Sequence, residues 1–239
     1  MPSIRFGTRT PPTGSLLIFD ETAPGGKKEL EMKRSNVSEI ARQHKVIAIL
    51  RGLSSQQSEE MINLLDEEGV RLIEITSGSD SVFEIVSRHQ EKTAAVLGVG
   101  TVRNVVQCNK AIAAGAGFIV SPNSDFQVIK RAIDAGLVSI PGAFSPTEIE
   151  TAWRAGAELV KVFPAGDLGP SYIKSLRGPM GDIPLVPTGG INAENASAFI
   201  DAGAVALGVG GGIVDKEAIA AGDWDKQREK VREFLSAIG

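Results

Sequence analysis

The chain has 239 residues, 42% hydrophobic and 23% charged, with a formal net charge of −4 and a sequence pI near 5.4. This is the composition of a water-soluble globular protein, long enough to bury a substantial core without disulfides or a structural metal. No Lys/Arg block marks a footprint for nucleic acid or for an anionic membrane, so the expected partner is a small molecule.

Residues 1–34 carry Pro11 and Pro12 and a short apolar stretch, Leu16–Phe19, too brief for the core of a signal peptide. We read them as a poorly structured extension. Arg5, Arg9 and the lack of acids up to Ile18 leave a transit peptide as the minor alternative to a cytoplasmic protein. No apolar run approaches the ~18 residues that span a bilayer. Cys108 is the single cysteine and excludes an internal disulfide. Its neighbours Val105, Val106 and Ile112 have helical spacing, so it reads as a packed side chain. His44 and His89 stand apart from any Cys, Asp or Glu cluster, so we expect surface histidines and no metal.

After a short helix near Val37–Gln43, one plan repeats: an apolar strand, a turn, an amphipathic helix. The predicted strands are Val46–Leu50, Leu72–Thr76, Ala95–Gly98, Phe118–Ser121, Val138–Pro141, Leu159–Phe163, Leu185–Thr188 and Val205–Val209. They recur roughly every 20–26 residues, the length a strand–helix unit needs. Continuous apolar runs suit strands covered on both faces. Between them, Ser54 or Ser55 can cap a helix that runs to Glu68 with Met61, Ile62, Leu64 and Leu65 inward. Ser145, Pro146 and Glu148 have capping-box order. Gly69, Gly115, Gly136, Gly156 and Gly203 read as helix stops. Eight evenly spaced units predict an α/β fold, a (β/α)8 TIM barrel over residues 35–239. A dinucleotide-binding sheet is disfavoured, because Gly98-x-Gly100 and Gly208-x-Gly210 meet Arg103 and Ile213 where a third glycine belongs.

Active sites of such barrels lie at the C-terminal strand ends. Polar residues there are Arg51, Glu74, Thr76, Thr101, Ser121 to Asn123, Lys161, Thr188 and two glycine runs. Lys161 interrupts the apolar Leu-Val-Lys-Val-Phe-Pro; burial of an ammonium favours the free amine, a nucleophile for ketones. The alternative is a lysine pointing outward and snorkelling to solvent between helices. Phe163-Pro164, which marks the strand end, favours the first reading. Glu74, inside Leu-Ile-Glu-Ile-Thr, suits a general acid/base or a buried ion pair. Arg51 suits a carboxylate anchor, a charge that favours the free lysine, or a rim salt bridge. Phe163 and Thr188 join the candidate substrate-binding set. Gly189-Gly190 and Gly208 to Gly212 follow the last two strands, where barrels place phosphate.

Ordered motifs then point further: Ile-Leu-Arg-Gly at 49–52, Ile-Glu-Ile-Thr at 73–76, Gly-Val-Gly-Thr-Val at 98–102, Val-Ser-Pro-Asn at 120–123, Ile-Pro-Gly-Ala at 140–143, Val-Lys-Val-Phe-Pro-Ala at 160–165, Pro-Thr-Gly-Gly-Ile at 187–191 and Gly-Val-Gly-Gly at 208–211. From Val46 to Val214 the chain resembles the 2-keto-3-deoxy-6-phosphogluconate and 4-hydroxy-2-oxoglutarate aldolases, with the related 6-phosphogalactonate enzymes. The resemblance implies a homotrimeric class I lyase with no metal or other cofactor, acting on pyruvate and a phosphorylated aldehyde. It implies a Schiff base on Lys161 and acid/base work by Glu74. Thr101 and Pro122 would line the pyruvyl pocket, Arg51 would be a basic group at the site, and Gly189, Gly190, Gly210 and Gly211 would bind phosphate. Gly78 stands where many gluconate-type members have arginine. Pro122-Asn123 and Gly169 to Lys174 look like the galactonate type, and Thr188 like the gluconate type. β-Keto acid (oxaloacetate) decarboxylation by the same lysine, and a phosphate-binding isomerase without an imine, are the alternatives.

Overall fold

A computed structural model describes residues 36–76 and 81–239; the extension expected over 1–34, and Gly78, lie outside the described residues. Helix α1 (36–44) comes first. Then follow β1 (Val46–Leu50), α2 (Ser55–Glu67), β2 (Leu72–Thr76), α3 (Ser81–His89), β3 (Val96–Gly100) and α4 (Val105–Ala113). The chain continues through β4 (Phe118–Val120), α5 (Phe126–Asp134), β5 (Val138–Ile140), β6 (Gly142–Ala143), α6 (Pro146–Arg154) and β7 (Val160–Val162). It ends with α7 (Gly169–Arg177), β8 (Leu185–Pro187), α8 (Ala193–Asp201), β9 (Leu207–Val209), α9 (Lys216–Ala221) and α10 (Trp224–Ser236).

Every strand pair is parallel. Strands β5-β4-β3-β2-β1-β9 bond in that order, and β6-β7-β8 form a second sheet. The chain itself joins the two sheets at Pro141. At the other seam the Val205 N–H donates to the Leu185 carbonyl (3.0 Å), and Thr188 bridges Gly208. The result is the expected (β/α)8 barrel, its fifth strand interrupted. The single strand expected over Val138–Pro141 is two short ones because Pro141 has no N–H for a ladder. There the pairing partner changes from β4 to β7. Strand β3 reaches Gly100, two residues beyond expectation, with Thr76 paired to Gly100. Its glycines, Gly98 and Gly100, lie in the sheet where large neighbours approach closely.

Alternation sorts the core into two layers. Outward strand residues such as Ile73, Val99, Val160 and Val162 pack under the helices. Inward ones, including Ile47, Leu72, Phe118, Leu159 and Val186, form a plug with Val37 and Ala41 of α1. That helix therefore closes the bottom of the barrel. Local signals act as the sequence predicts: Ser54 and Ser145 each make a reciprocal capping box, with Gln57 and Glu148. The five helix-stop glycines all have positive φ. Cys108 is buried, and burial pushes its thiol up to about 11. His44 is exposed, but His89 is half-buried at the end of α3, with Nδ1 3.1 Å from the Ile85 carbonyl.

Candidate active site

The plug fixes what lies above it. Leu72, Leu159 and Val186 sit in the apolar plug, and two residues further along the same extended segments come Glu74, Lys161 and Thr188. With a side-chain period of two, all three point into the barrel on its C-terminal side. The outward-snorkelling alternative for Lys161 is thereby removed. Lys161 is 4% exposed, Glu74 1% and Thr188 4%.

Glu74 occupies space that Gly100 leaves open. A Cβ at Gly100 would overlap the Glu74 carboxylate, so the neighbouring strand must carry glycine where the acid sits. Glu74 Oε1 is buried without a hydrogen-bond partner in the protein. Burial raises its carboxyl above the usual range, against the lowering effect of the Lys161 and Arg51 charges. An orphaned acceptor next to cations is a group held ready for a proton. Replacing Gly100 with alanine is expected to push this carboxylate aside. Denaturant melts should show a loss of about 1–3 kcal/mol, and turnover should fall about 100-fold from misplacement. A Gly100→Ala protein with ordinary stability and rate would contradict this packing account.

The Lys161 amine lies 5.3 Å from the centroid of the Phe163 ring, a cation–π distance. Phe163 is half-buried, and its ring lies against Gly189: a Cβ added there would stand 3.2 Å from it. Phe163 thus links the lysine to the first glycine turn. On the other flank, Lys161 pairs with Gly142, and a Cβ on Gly142 would overlap the Pro122 carbonyl. The half-buried Pro122 is therefore beside the lysine's strand, through a glycine whose role the sequence reading missed. Thr101, just past β3, has φ 59°, a left-handed conformation that costs a β-branched residue about 1–3 kcal/mol. Such strain concentrates at functional sites. Arg51 is exposed at the end of β1 and contributes to the site through its charge on Glu74.

The two glycine runs form the far wall. Gly189 and Gly190 have φ of 88° and 73°, which only glycine adopts without strain. The Gly166 N–H donates to the Gly189 carbonyl (2.8 Å) and Asn195 Nδ2 to the Gly190 carbonyl (2.8 Å), fixing this turn at the start of α8. Gly210 accepts from the Ile213 and Val214 N–H groups at 3.0 and 2.9 Å. Gly189-Gly190 lead into α8, and Gly210 to Gly212 precede α9. Glycine turns at two loop-to-helix junctions are the kind of backbone that can receive an anion.

Comparison with known proteins agrees with this geometry. The sequence model of the family "Aldolase: KDPG and KHG aldolase" matches residues 37–229. The probable 2-dehydro-3-deoxy-6-phosphogalactonate aldolase of Rhizobium meliloti is 35% identical over 181 residues, 74% of this chain and 85% of the relative. The 2-dehydro-3-deoxy-phosphogluconate aldolase of Treponema pallidum is 36% identical over 173 residues, 72% of this chain and 82% of the relative. A solved structure described as native KDPGal superposes with a TM-score of 0.72 at 31% identity, covering 80% of this chain and 93% of that one. The chain belongs to the KDPG and KHG aldolases and is a carbon–carbon lyase of that type.

Proposed function

We propose that the enzyme cleaves a 2-keto-3-deoxy-6-phosphosugar acid into pyruvate and glyceraldehyde 3-phosphate through a Schiff base on Lys161. The observation that carries this reading is the burial of both Lys161 and Glu74 inside the barrel, where the lysine's charge acts on a carboxylate whose Oε1 has no protein partner. The Lys161 amine adds to the C2 ketone and expels water, giving an iminium. Glu74, directly or through a water, takes the C4 hydroxyl proton. The C3–C4 bond then breaks, the aldehyde leaves, and the bonding pair passes into the enamine. Protonation at C3 and hydrolysis release pyruvate and the free lysine. Thr101 and Pro122 hold the pyruvyl end, Phe163 and Thr188 shape the middle, and Arg51 supplies positive charge at the mouth. Backbone amides of the glycine runs hold the phosphate. The iminium is the electron sink, so this route needs no metal or other cofactor.

Markers for C4 stereochemistry are mixed. Gly78 replaces an arginine common in the gluconate type, whereas Thr188 resembles that type. We therefore propose that both C4 epimers are substrates, with glyoxylate as a secondary acceptor for pyruvate. The test is pyruvate release from each epimer separately, and condensation of pyruvate with glyoxylate. Cleavage of both epimers, with kcat/KM values within about 100-fold of each other, is expected for a preference set by one or two polar contacts. Release from neither would overturn the proposed function.

The resemblance also leads us to propose a homotrimer. Val106, Phe126 and Phe144 are 66%, 54% and 48% exposed near the starts of α4, α5 and α6, large apolar side chains that a second copy would cover. A monomer in sedimentation equilibrium would remove that proposal.

A further inference from the structure

Gln227 lies on α10 on the same stripe as Val231 and Phe234, all three buried. The spacing i, i+4, i+7 is that of an apolar helix face, where glutamine is the costly choice because its amide must be desolvated and ordered. Gln227 is 0% exposed. Both ends of its amide are satisfied by the backbone that follows the last glycine run. Nε2 donates to the Ile213 carbonyl (2.8 Å), and Oε1 accepts from the Asp215 N–H (2.7 Å). The Ile213 and Val214 N–H groups in turn donate to the Gly210 carbonyl. The glycine turn has no side chains with which to anchor itself, and a Cβ on Gly211 would touch nothing within 4 Å. Gly212 packs against Ile191 and Asn192, and just beyond it the Gln227 amide clamps the residues that follow the turn.

We propose that Gln227 is a positioning residue for the anion-binding turn, fixing where the Gly211 and Gly212 N–H groups meet the substrate phosphate. This rests on the reading of that turn as the phosphate site. The role is distinct from imine chemistry, because Lys161 and Glu74 stand on other strands.

The experiment is steady-state condensation of pyruvate with glyceraldehyde 3-phosphate and with unphosphorylated glyceraldehyde, in the full-length wild type and in Gln227→Met. C3–H exchange of pyruvate in heavy water is measured in parallel. Methionine preserves length and burial and removes both hydrogen bonds. KM for the phosphorylated aldehyde is expected to rise about 10- to 100-fold, the usual effect of unpairing a buried polar group. KM for unphosphorylated glyceraldehyde and the exchange rate should stay within about twofold, since neither uses the anion site. Should Gln227→Met fail to fold, Gln227→Glu keeps the length and the acceptor for Asp215 and loses the amide donor to Ile213; the same split is expected. An unchanged KM for the phosphorylated aldehyde, or equal losses on both aldehydes, would overturn the positioning role alone. A wild type that does not prefer the phosphorylated aldehyde would overturn the phosphate reading and this inference with it.

Discussion

Lys161→Met is expected to lower kcat/KM for cleavage by at least about 10⁴-fold, the scale of removing a covalent nucleophile. The fold should survive. Methionine fills similar volume, and buried Glu74, deprived of the lysine's charge, can take up a proton instead of remaining an unpaired anion. The plug beneath, including Leu159 and Val186, does not depend on the amine. The loss is read from coupled pyruvate detection, with thermal unfolding as the control. Lys161→Arg separates the rival mechanisms. It keeps a cation near Phe163 and Glu74 but forms no imine with a ketone, so it should be as inactive as Lys161→Met. Substantial activity in Lys161→Arg would mean that charge suffices and would point to a phosphate-binding isomerase.

The second large effect is at Glu74. Glu74→Gln should reduce kcat by about 10²- to 10⁴-fold, the range for losing a positioned acid/base group. Gln keeps the shape that Gly100 accommodates but cannot carry the C4 proton. The pH dependence follows from the direction of the shift. Burial raises the Glu74 carboxyl above the ordinary range despite the charges of Lys161 and Arg51. In cleavage the base must be ionised, so kcat/KM should climb with pH through a limb lying above ordinary glutamate values. Glu74→Gln should lack that limb. Retention of both the rate and the limb in Glu74→Gln would assign the proton transfer to another group.

Much of this was legible in the sequence because the barrel repeats one pattern. Apolar runs, capping residues and stop glycines located the strands and helices to within a few residues. Lys161 and Glu74 stood out because each placed a charge inside an apolar strand. The sequence could not tell which face Lys161 takes, since both faces of a barrel strand are apolar. The structure settles it through register with Leu159 in the plug. Glycines misled in one place: β3 was expected to stop at Gly98, whereas it runs to Gly100, and the two glycines make room for Phe118 and Glu74. Gly142 was equally silent, because the need for a bare backbone beside Pro122 arises only when β6 lies beside β7. Gln227 gave no signal, as one polar residue in a helix rich in them. Its burial depends on how α10 packs against α8 and α9.

The central claim is that the chemistry runs through an imine at position 161. Borohydride reduction in the presence of pyruvate, followed by mass spectrometry of the peptide containing that position, tests it most directly. The account predicts a stable pyruvate-derived adduct on Lys161 that is absent from Lys161→Met. No adduct at any lysine, in enzyme that still cleaves its substrate, would contradict the account.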